Sequence, residues 1–374
     1  MSIETVAVVG LGNAGHTLHL PALAGIDSLR VVGGCDLSPD MRERARASWA
    51  IPVFEDCERM LAEAKPDVVI VATPPDTHLR YGLIALESGA HLICEKPFVS
   101  SLAEADQLMA AATRAGRRIA LNHEFREMPI FKAVREAVDS GDTGRLVFAQ
   151  VWQLMDLPPW KEPGWRGQML QRTLYEAGVH LVDYLMALFG EKPRAVQAWT
   201  SSSGVREGDT DAVALVTLEF SGGRLANIVQ NRLCKGETQY FEVRADTVGA
   251  SLRASFGGRA RLTAGLFRAT RPHVWFEYGV SGLAWSEVGS QRSFLARNPR
   301  EPGMIATRFV LERSVAAFRD GTDPPADARC GRDVMEVIAA CYHSSTTGRR
   351  VAMDSDEVKS LANLAMGAPP GSEE

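Results

Sequence analysis

The stretch Thr5-Val6-Ala7-Val8-Val9-Gly10-Leu11-Gly12-Asn13-Ala14-Gly15 decides the fold. Val6–Val9 is continuously apolar rather than alternating, which is the pattern of a strand buried on both faces. Three glycines then follow with the G-x-G-x-x-G spacing. Gly10 allows the tight turn out of the strand. Gly12 lets a pyrophosphate approach the backbone without meeting a Cβ, and Gly15 lets the next helix pack close to the strand. Free N–H groups at that helix start, Asn13 and Ala14 among them, favour an anion by about 0.3–1 kcal/mol per charge.

The next strand, Arg30–Asp36, ends in a carboxylate about 20 residues beyond the last glycine, where an acid would hold the ribose hydroxyls of an adenine dinucleotide. The plainer reading makes Asp36 a helix cap before Ser38-Pro39-Asp40. A carboxylate there repels a 2′-phosphate, and Leu37, Ser38 and Pro39 supply no arginine. The expected cofactor is therefore NAD, with NADP second.

Length and composition bound the rest. The 374 residues predict two domains. A hydrophobic fraction of 45%, a charged fraction of 23% and a net charge of −5 describe a soluble globular chain with no basic footprint for nucleic acid. The six cysteines are scattered without a C-x-x-C pair, which argues against a zinc site and fits a reducing compartment. No apolar run approaches the roughly 20 residues of a membrane span, and no leader precedes the first strand. The expectation is a cytoplasmic protein with no metal, no nucleic-acid partner and no membrane partner.

Further strands are expected at Val53-Phe54, Asp67–Thr73, His91–Cys94 and Arg118–Leu121, each separated by a helix. Six strands alternating with helices predict a Rossmann-type doubly wound parallel sheet. Ligands on such sheets sit outside the carboxyl ends of the strands. Gly10–Gly12, Asp36, Thr73-Pro74-Pro75, Glu95-Lys96-Pro97 and Asn122 all fall there. The helix after the glycines carries His16 and His19, which could face the cofactor or serve a solvated or capping role, and Pro21, which should kink or restart it.

The texture changes at Glu124. After a helix at Ile130–Ser140 come a half-exposed strand at Leu146–Leu154, a Pro158-Pro159 break and a tryptophan-bearing loop with Trp160 and Trp165. A helix over Gln171–Phe189 follows. Alternating runs at Arg194–Thr200, Asp211–Glu219, Arg224–Asn231, Tyr240–Arg244 and Ala250–Ala254, with a turn at Gly257-Gly258, predict a large, mainly antiparallel open sheet. Helices close the chain at Arg308–Asp320 and Val334–Gly348. The domains are thus 1–123 for the dinucleotide and an α+β domain, 124–366, for substrate and oligomerisation, with 367–374 a disordered tail. An exposed sheet face predicts a homodimer or homotetramer.

Two stretches carry chemistry. Lys96 ends a strand between Glu95 and Pro97, where a lysine points into the cleft; a surface ion pair with Glu95 is the alternative. Glu176-Ala177-Gly178-Val179-His180-Leu181-Val182-Asp183 places three polar side chains on one helix face. A carboxylate there would orient the imidazole and raise its pKa. An amphipathic helix with a stabilising pair is the alternative. Trp152, Trp160, Trp165 and Tyr175 could stack on a sugar ring, or serve core or interface. Trp165, Tyr175 and Asp183 are the candidate substrate contacts.

Taken together, the glycine turn, Ala72-Thr73-Pro74 with His78, Glu95-Lys96-Pro97 and Glu176-x-x-x-His180 resemble the glucose–fructose oxidoreductase and inositol dehydrogenase (Gfo/Idh/MocA) family over nearly the whole chain. That resemblance implies a nicotinamide-dependent dehydrogenase of sugars, aminosugars or cyclitols. It implies that Thr73, Pro74, His78, Glu95, Lys96 and Asn122 serve the cofactor site, that Lys96 holds the reacting hydroxyl and that His180 is the acid/base. Glu176 stands where the family usually has aspartate, and Gln171–Tyr175 lacks the usual glycine run. A glycosidase using transient oxidation and elimination, or a non-catalytic dinucleotide-binding protein, would use the same fold.

Overall fold

Short apolar strands that run straight into glycine or proline leave the chain no choice but to turn back through a helix, and this builds the first half. The computed structural model describes residues 4–157, 164–202, 204, 211–236, 239–256, 259–265, 273–279 and 281–367. Strands β1 (Thr5–Val9), β2 (Arg30–Cys35), β3 (Val53–Phe54), β4 (Val68–Val71), β5 (His91–Cys94) and β6 (Ile119–Leu121) form one parallel sheet. Its order, β3-β2-β1-β4-β5-β6, is that of a dinucleotide-binding fold. Helices α2 (Pro39–Trp49), α3 (Cys57–Ala64), α4 (His78–Glu87) and α5 (Leu102–Ala115) are the crossovers. Ser38, Asp56 and Ser101 cap three of them through side-chain oxygens.

The helix after β1 departs from a plain α-helix. Gly15–His19 is a π-turn that runs into α1 (Leu20–Ala24), and Pro21 sits in its first turn, where no N–H is needed. The turn sinks His19 completely and leaves His16 half-exposed against Trp49. The solvated reading of His19 is therefore corrected: its Nε2 lies 2.8 Å from Glu95 Oε1.

The second half holds a nine-stranded sheet, ordered β16-β15-β12-β11-β7-β10-β9-β8-β17, in which the edge strand β17 is Val351–Ala352. Its central strands are β7 (Leu146–Leu154), β8 (Ala195–Ser201), β9 (Val213–Glu219), β10 (Leu225–Asn231), β11 (Gln239–Thr247) and β12 (Ser251–Ser255). All neighbours pair antiparallel except β7 and β10. Five strands, β17 among them, have no counterpart in the sequence reading. The hairpin β13 (Arg259–Gly265) and β14 (His273–Gly279) stands apart, and β15 (Leu283–Val288) with β16 (Gln291–Arg297) extends the sheet. Helices α6 (Pro129–Asp139) and α7 (Val179–Phe189) line the inner face.

Late helices return to the first sheet. In α8 (Pro302–Asp320), Leu311, Val315 and Phe318 pack with Val6, Val8, Ile70 and Ile93 into one apolar cluster. Helix α9 (Ala328–Thr347) sits between α5, α7 and β8. The Pro158-Pro159 break, Trp160, the Gly257-Gly258 turn and the tail beyond Gly367 lie outside the described residues.

The glycine turn is set by hard contacts. Gly10 has φ +94°, and a Cβ there would sit 2.5 Å from the Ala72 carbonyl oxygen. A Cβ on Gly15 would sit 2.1 Å from Gly10 O, whereas one on Gly12 would meet nothing within 4 Å. Gly15→Ala therefore destabilises the chain by about 1–3 kcal/mol through overpacking. Gly12→Ala leaves the melting temperature unchanged. Thermal unfolding of the two variants side by side checks this; equal losses would contradict it.

Candidate active site

Because the carboxyl ends of β1, β2, β4 and β5 open on one side, the polar residues that end them meet there. The second sheet faces them across a cavity of about 950 Å³. Of the expected cofactor residues, Gly10, Gly12, Asn13, Ala14 and Asp36 line one end. Thr73, Pro74, Glu95 and Lys96 line the middle, and Glu176 and His180 close the other end beside Trp165. A cavity of about 740 Å³ at the amino ends of β4–β6, bordered by Lys65, His91 and Arg117, contains none of the expected residues.

A dinucleotide fits these walls. The open space over Gly12 is where a Cβ would otherwise stand, and helical backbone begins at Asn13 with its N–H groups unsatisfied within the helix. Asp36 accepts the Leu11 N–H through Oδ2 and the Ser38 N–H through Oδ1, both at 2.8 Å. Its carboxylate is thereby fixed at the end of β2, while the cap of α2 is Ser38 rather than Asp36. An arginine that the sequence reading passed over, Arg42, donates to the Asp36 and Leu37 carbonyls and pairs with Glu55.

Gly15, His78 and Asn122 do not line the cavity; they hold what does. His78 is fully buried, with Nε2 at 2.9 Å from Thr73 O and Nδ1 at 3.0 Å from Pro97 O, and so locks the loops after β4 and β5 together. Asn122 donates to Glu95 Oε1 at 2.7 Å. Burial pushes the Glu95 carboxyl up, but the His19 and Asn122 hydrogen bonds and Lys96 outweigh it and hold it at about 2. Glu95 is thus a buried anion clamped from two sides, not the surface partner of Lys96. The Lys96–Pro97 peptide is cis.

Lys96 reaches across to the second domain. Its Nζ donates to Glu176 O at 3.2 Å and pairs with Glu176 Oε1 at 3.3 Å. Arg166 Nε binds the same Oε1 at 3.1 Å, and Arg172 lies 3.7 Å from Oε2. Burial disfavours the Glu176 charge, yet Lys96, Arg172 and Arg166 together hold the carboxyl well below the usual range. Glu176 sits in a second π-turn, Thr173–Gly178, that leads into α7. The expected Glu176–His180 contact is not made; this carboxylate is spent on cations.

His180 lies 4.3 Å, ring to ring, from Phe125, and its Nδ1 is buried without a partner among the described residues. Burial pushes its pKa well below 6.5, and the Lys96 charge pushes the same way. The imidazole is neutral at ordinary pH, the reverse of the raised pKa that a neighbouring carboxylate would give.

Asp183 and Tyr175 are corrections. Asp183 is 1% exposed and makes a bidentate pair with Arg126, with His123 at 3.8 Å. A buried guanidinium needs that carboxylate; breaking such a pair costs about 3–5 kcal/mol. Tyr175 is buried, donates its hydroxyl to Val99 O and packs against Gly367. Neither borders the cavity. The wall also includes Glu124, Gln153, Arg232 and Tyr240, which sequence reasoning did not select. No helix among the described residues is long and apolar enough to cross a membrane.

Comparison with known proteins identifies the family and the fold. Residues 5–123 match the oxidoreductase family model with an NAD-binding Rossmann fold, and residues 131–251 match the GFO/IDH/MocA C-terminal domain. The chain is 25% identical to D-apiose dehydrogenase from Paraburkholderia graminis, over 95% of this chain and 91% of that protein. It is 27% identical to D-glucoside 3-dehydrogenase from Escherichia coli, over 93% and 97%. An oxidoreductase from Agrobacterium radiobacter, solved with NAD+, L-tartaric acid and magnesium, shares the fold with a TM-score of 0.79 at 16% identity, covering 94% of this chain and 98% of that one. The chain belongs to the Gfo/Idh/MocA family of NAD-binding oxidoreductases.

Proposed function

We propose that this dehydrogenase oxidises a secondary alcohol of a sugar, aminosugar or cyclitol with NAD, and that Lys96 and His180 carry the proton chemistry. The observation that carries the reading is that an ammonium and a neutral imidazole border one cavity with the glycine turn at its far end. Bound nicotinamide supplies the hydride acceptor. Neutral His180 takes the hydroxyl proton as general base, an effect of about 10²–10⁴-fold. Lys96 stabilises the alkoxide as charge develops. Glu176 is a positioning residue that aims the Lys96 ammonium. Its longer arm replaces the aspartate usual in the family, and Arg166 and Arg172 neutralise its charge. Trp165, with Arg166 over its ring at 4.3 Å, offers a flat wall for a sugar face. Residues 1–123 serve the nucleotide and 124–366 the substrate.

The assembly is a homo-oligomer through the open face of the nine-stranded sheet. Register places Trp199, Leu215, Val229 and Trp152 in one row across four strands. Trp199 is 53% and Leu215 42% exposed. Such a row suits a second copy of the same surface. The six cysteines are all free, which supports a cytoplasmic location.

Four outcomes test this reading. A panel containing D-apiose, D-glucosides, aminosugars and inositols, assayed with NAD and NADP by nicotinamide absorbance and product analysis, gives net reduction of NAD. Product formed without an absorbance change would indicate the transient-oxidation route instead. Lys96→Ala lowers turnover by orders of magnitude and leaves NAD affinity near wild type; unchanged turnover would remove Lys96 from the chemistry. Because only the neutral base works and burial lowers its pKa, activity persists as pH falls through 6.5 and fails only below it. A pH–rate profile with its acid limb at or above 6.5 would contradict the His180 assignment. Finally, Trp199→Glu shifts sedimentation toward monomer, and an unchanged sedimentation coefficient would place the interface elsewhere.

A further inference from the structure

Every carboxylate on the cavity wall but one has its hydrogen bonds met by the protein. Asp36 takes two backbone N–H groups, Glu95 takes His19 and Asn122, and Glu176 takes Lys96 and Arg166. Glu124 is the exception, its carboxyl taking only its own backbone N–H. It opens the 3₁₀ turn Glu124–Glu127 just after β6, is 6% exposed and borders the cavity. Its Oε2 is fully buried with no partner among the described residues. Leaving a buried polar atom unmet costs about 1–3 kcal/mol, and native chains seldom accept that without a use for the group.

The neighbours say what sort of group meets it. Glu95 and Lys96 approach from the end of β5, Asp183 from α7 and Tyr240 from β11. This is the Lys96–His180 end of the cavity, away from Gly12 and Asp36. We propose that Glu124 is a substrate-contacting residue, a carboxylic acid that donates a hydrogen bond to a hydroxyl oxygen of the bound sugar. Burial first, and the Glu95 charge second, raise its pKa to about 8, so the acid is protonated at neutral pH while Glu95 beside it is ionised. Two neighbouring carboxyls driven apart in this way take different tasks. A polyol hydroxyl both accepts and donates, as the neutral acid does, and no extra charge is brought into a site that already holds Lys96, Arg166 and Arg172.

The inference rests on the dehydrogenase reading, and the test separates the two. With the best substrate of the panel above, wild-type KM rises as pH climbs through about 8, because the donor is lost. Glu124→Ala raises KM about tenfold or more near neutral pH, the loss of one well-placed hydrogen bond. Glu124→Gln keeps a donor of the same shape, so its KM stays near wild type and flat through pH 8. A protonated-carboxyl band in difference infrared spectra at neutral pH, absent from Glu124→Gln, marks the group directly. Wild-type turnover with an unchanged KM in Glu124→Ala overturns the role of Glu124 alone, as does a KM that falls as pH rises through 8. Absence of turnover with every member of the panel overturns the dehydrogenase reading and this inference with it.

Discussion

The ion pair between Lys96 and Glu176 is the constraint on which the rest of the site depends. One partner ends a strand of the first sheet and the other lies in the π-turn before α7, so the pair ties the two halves of the molecule at the cavity. Both side chains are nearly buried, 14% and 11% exposed. A charge taken that far from water persists only with a partner. The pair therefore holds Lys96 in place, and burial first, with the Lys96 charge adding to it, keeps His180 neutral.

Around that pair the protein sets each ionisable group by its surroundings. Glu95 is anionic because His19 and Asn122 hold it; Glu176 is anionic because three cations surround it; Glu124 is pushed up to about 8 by burial and by the Glu95 charge. The same residue type thus appears in two protonation states within one cavity. His123 behind it is pushed down to about 4 by burial. Proton donors and acceptors are consequently in place before any ligand arrives, which is the preorganisation that a hydride-transfer site requires.

The first sheet was legible because each strand is a short, continuously apolar run stopped by glycine, proline or a polar residue. Local sequence carried both the strand and its end, as β1 and β4 show. Strands β15 and β16 were not legible because β16 is mostly exposed. An edge strand with no face to bury shows no alternation. The π-turns at Gly15–His19 and Thr173–Gly178 leave no mark in hydrophobic periodicity either. That Lys96 and His180 border the cavity was readable from position and spacing. The burial of His19, the Arg126 partner of Asp183 and the unmet carboxyl of Glu124 depend on contacts 57 residues or more apart in two cases. For Glu124 the only sequence sign was a polar run, Asn122-His123-Glu124, at a strand's carboxyl end.

A crystal structure of the chain with NADH tests the central claim most directly. In that crystal the nicotinamide ring contacts both the Lys96 ammonium and the neutral His180 imidazole, with Lys96 still held by Glu176. A ring bound elsewhere, or a Lys96 turned away from the cavity, would contradict it.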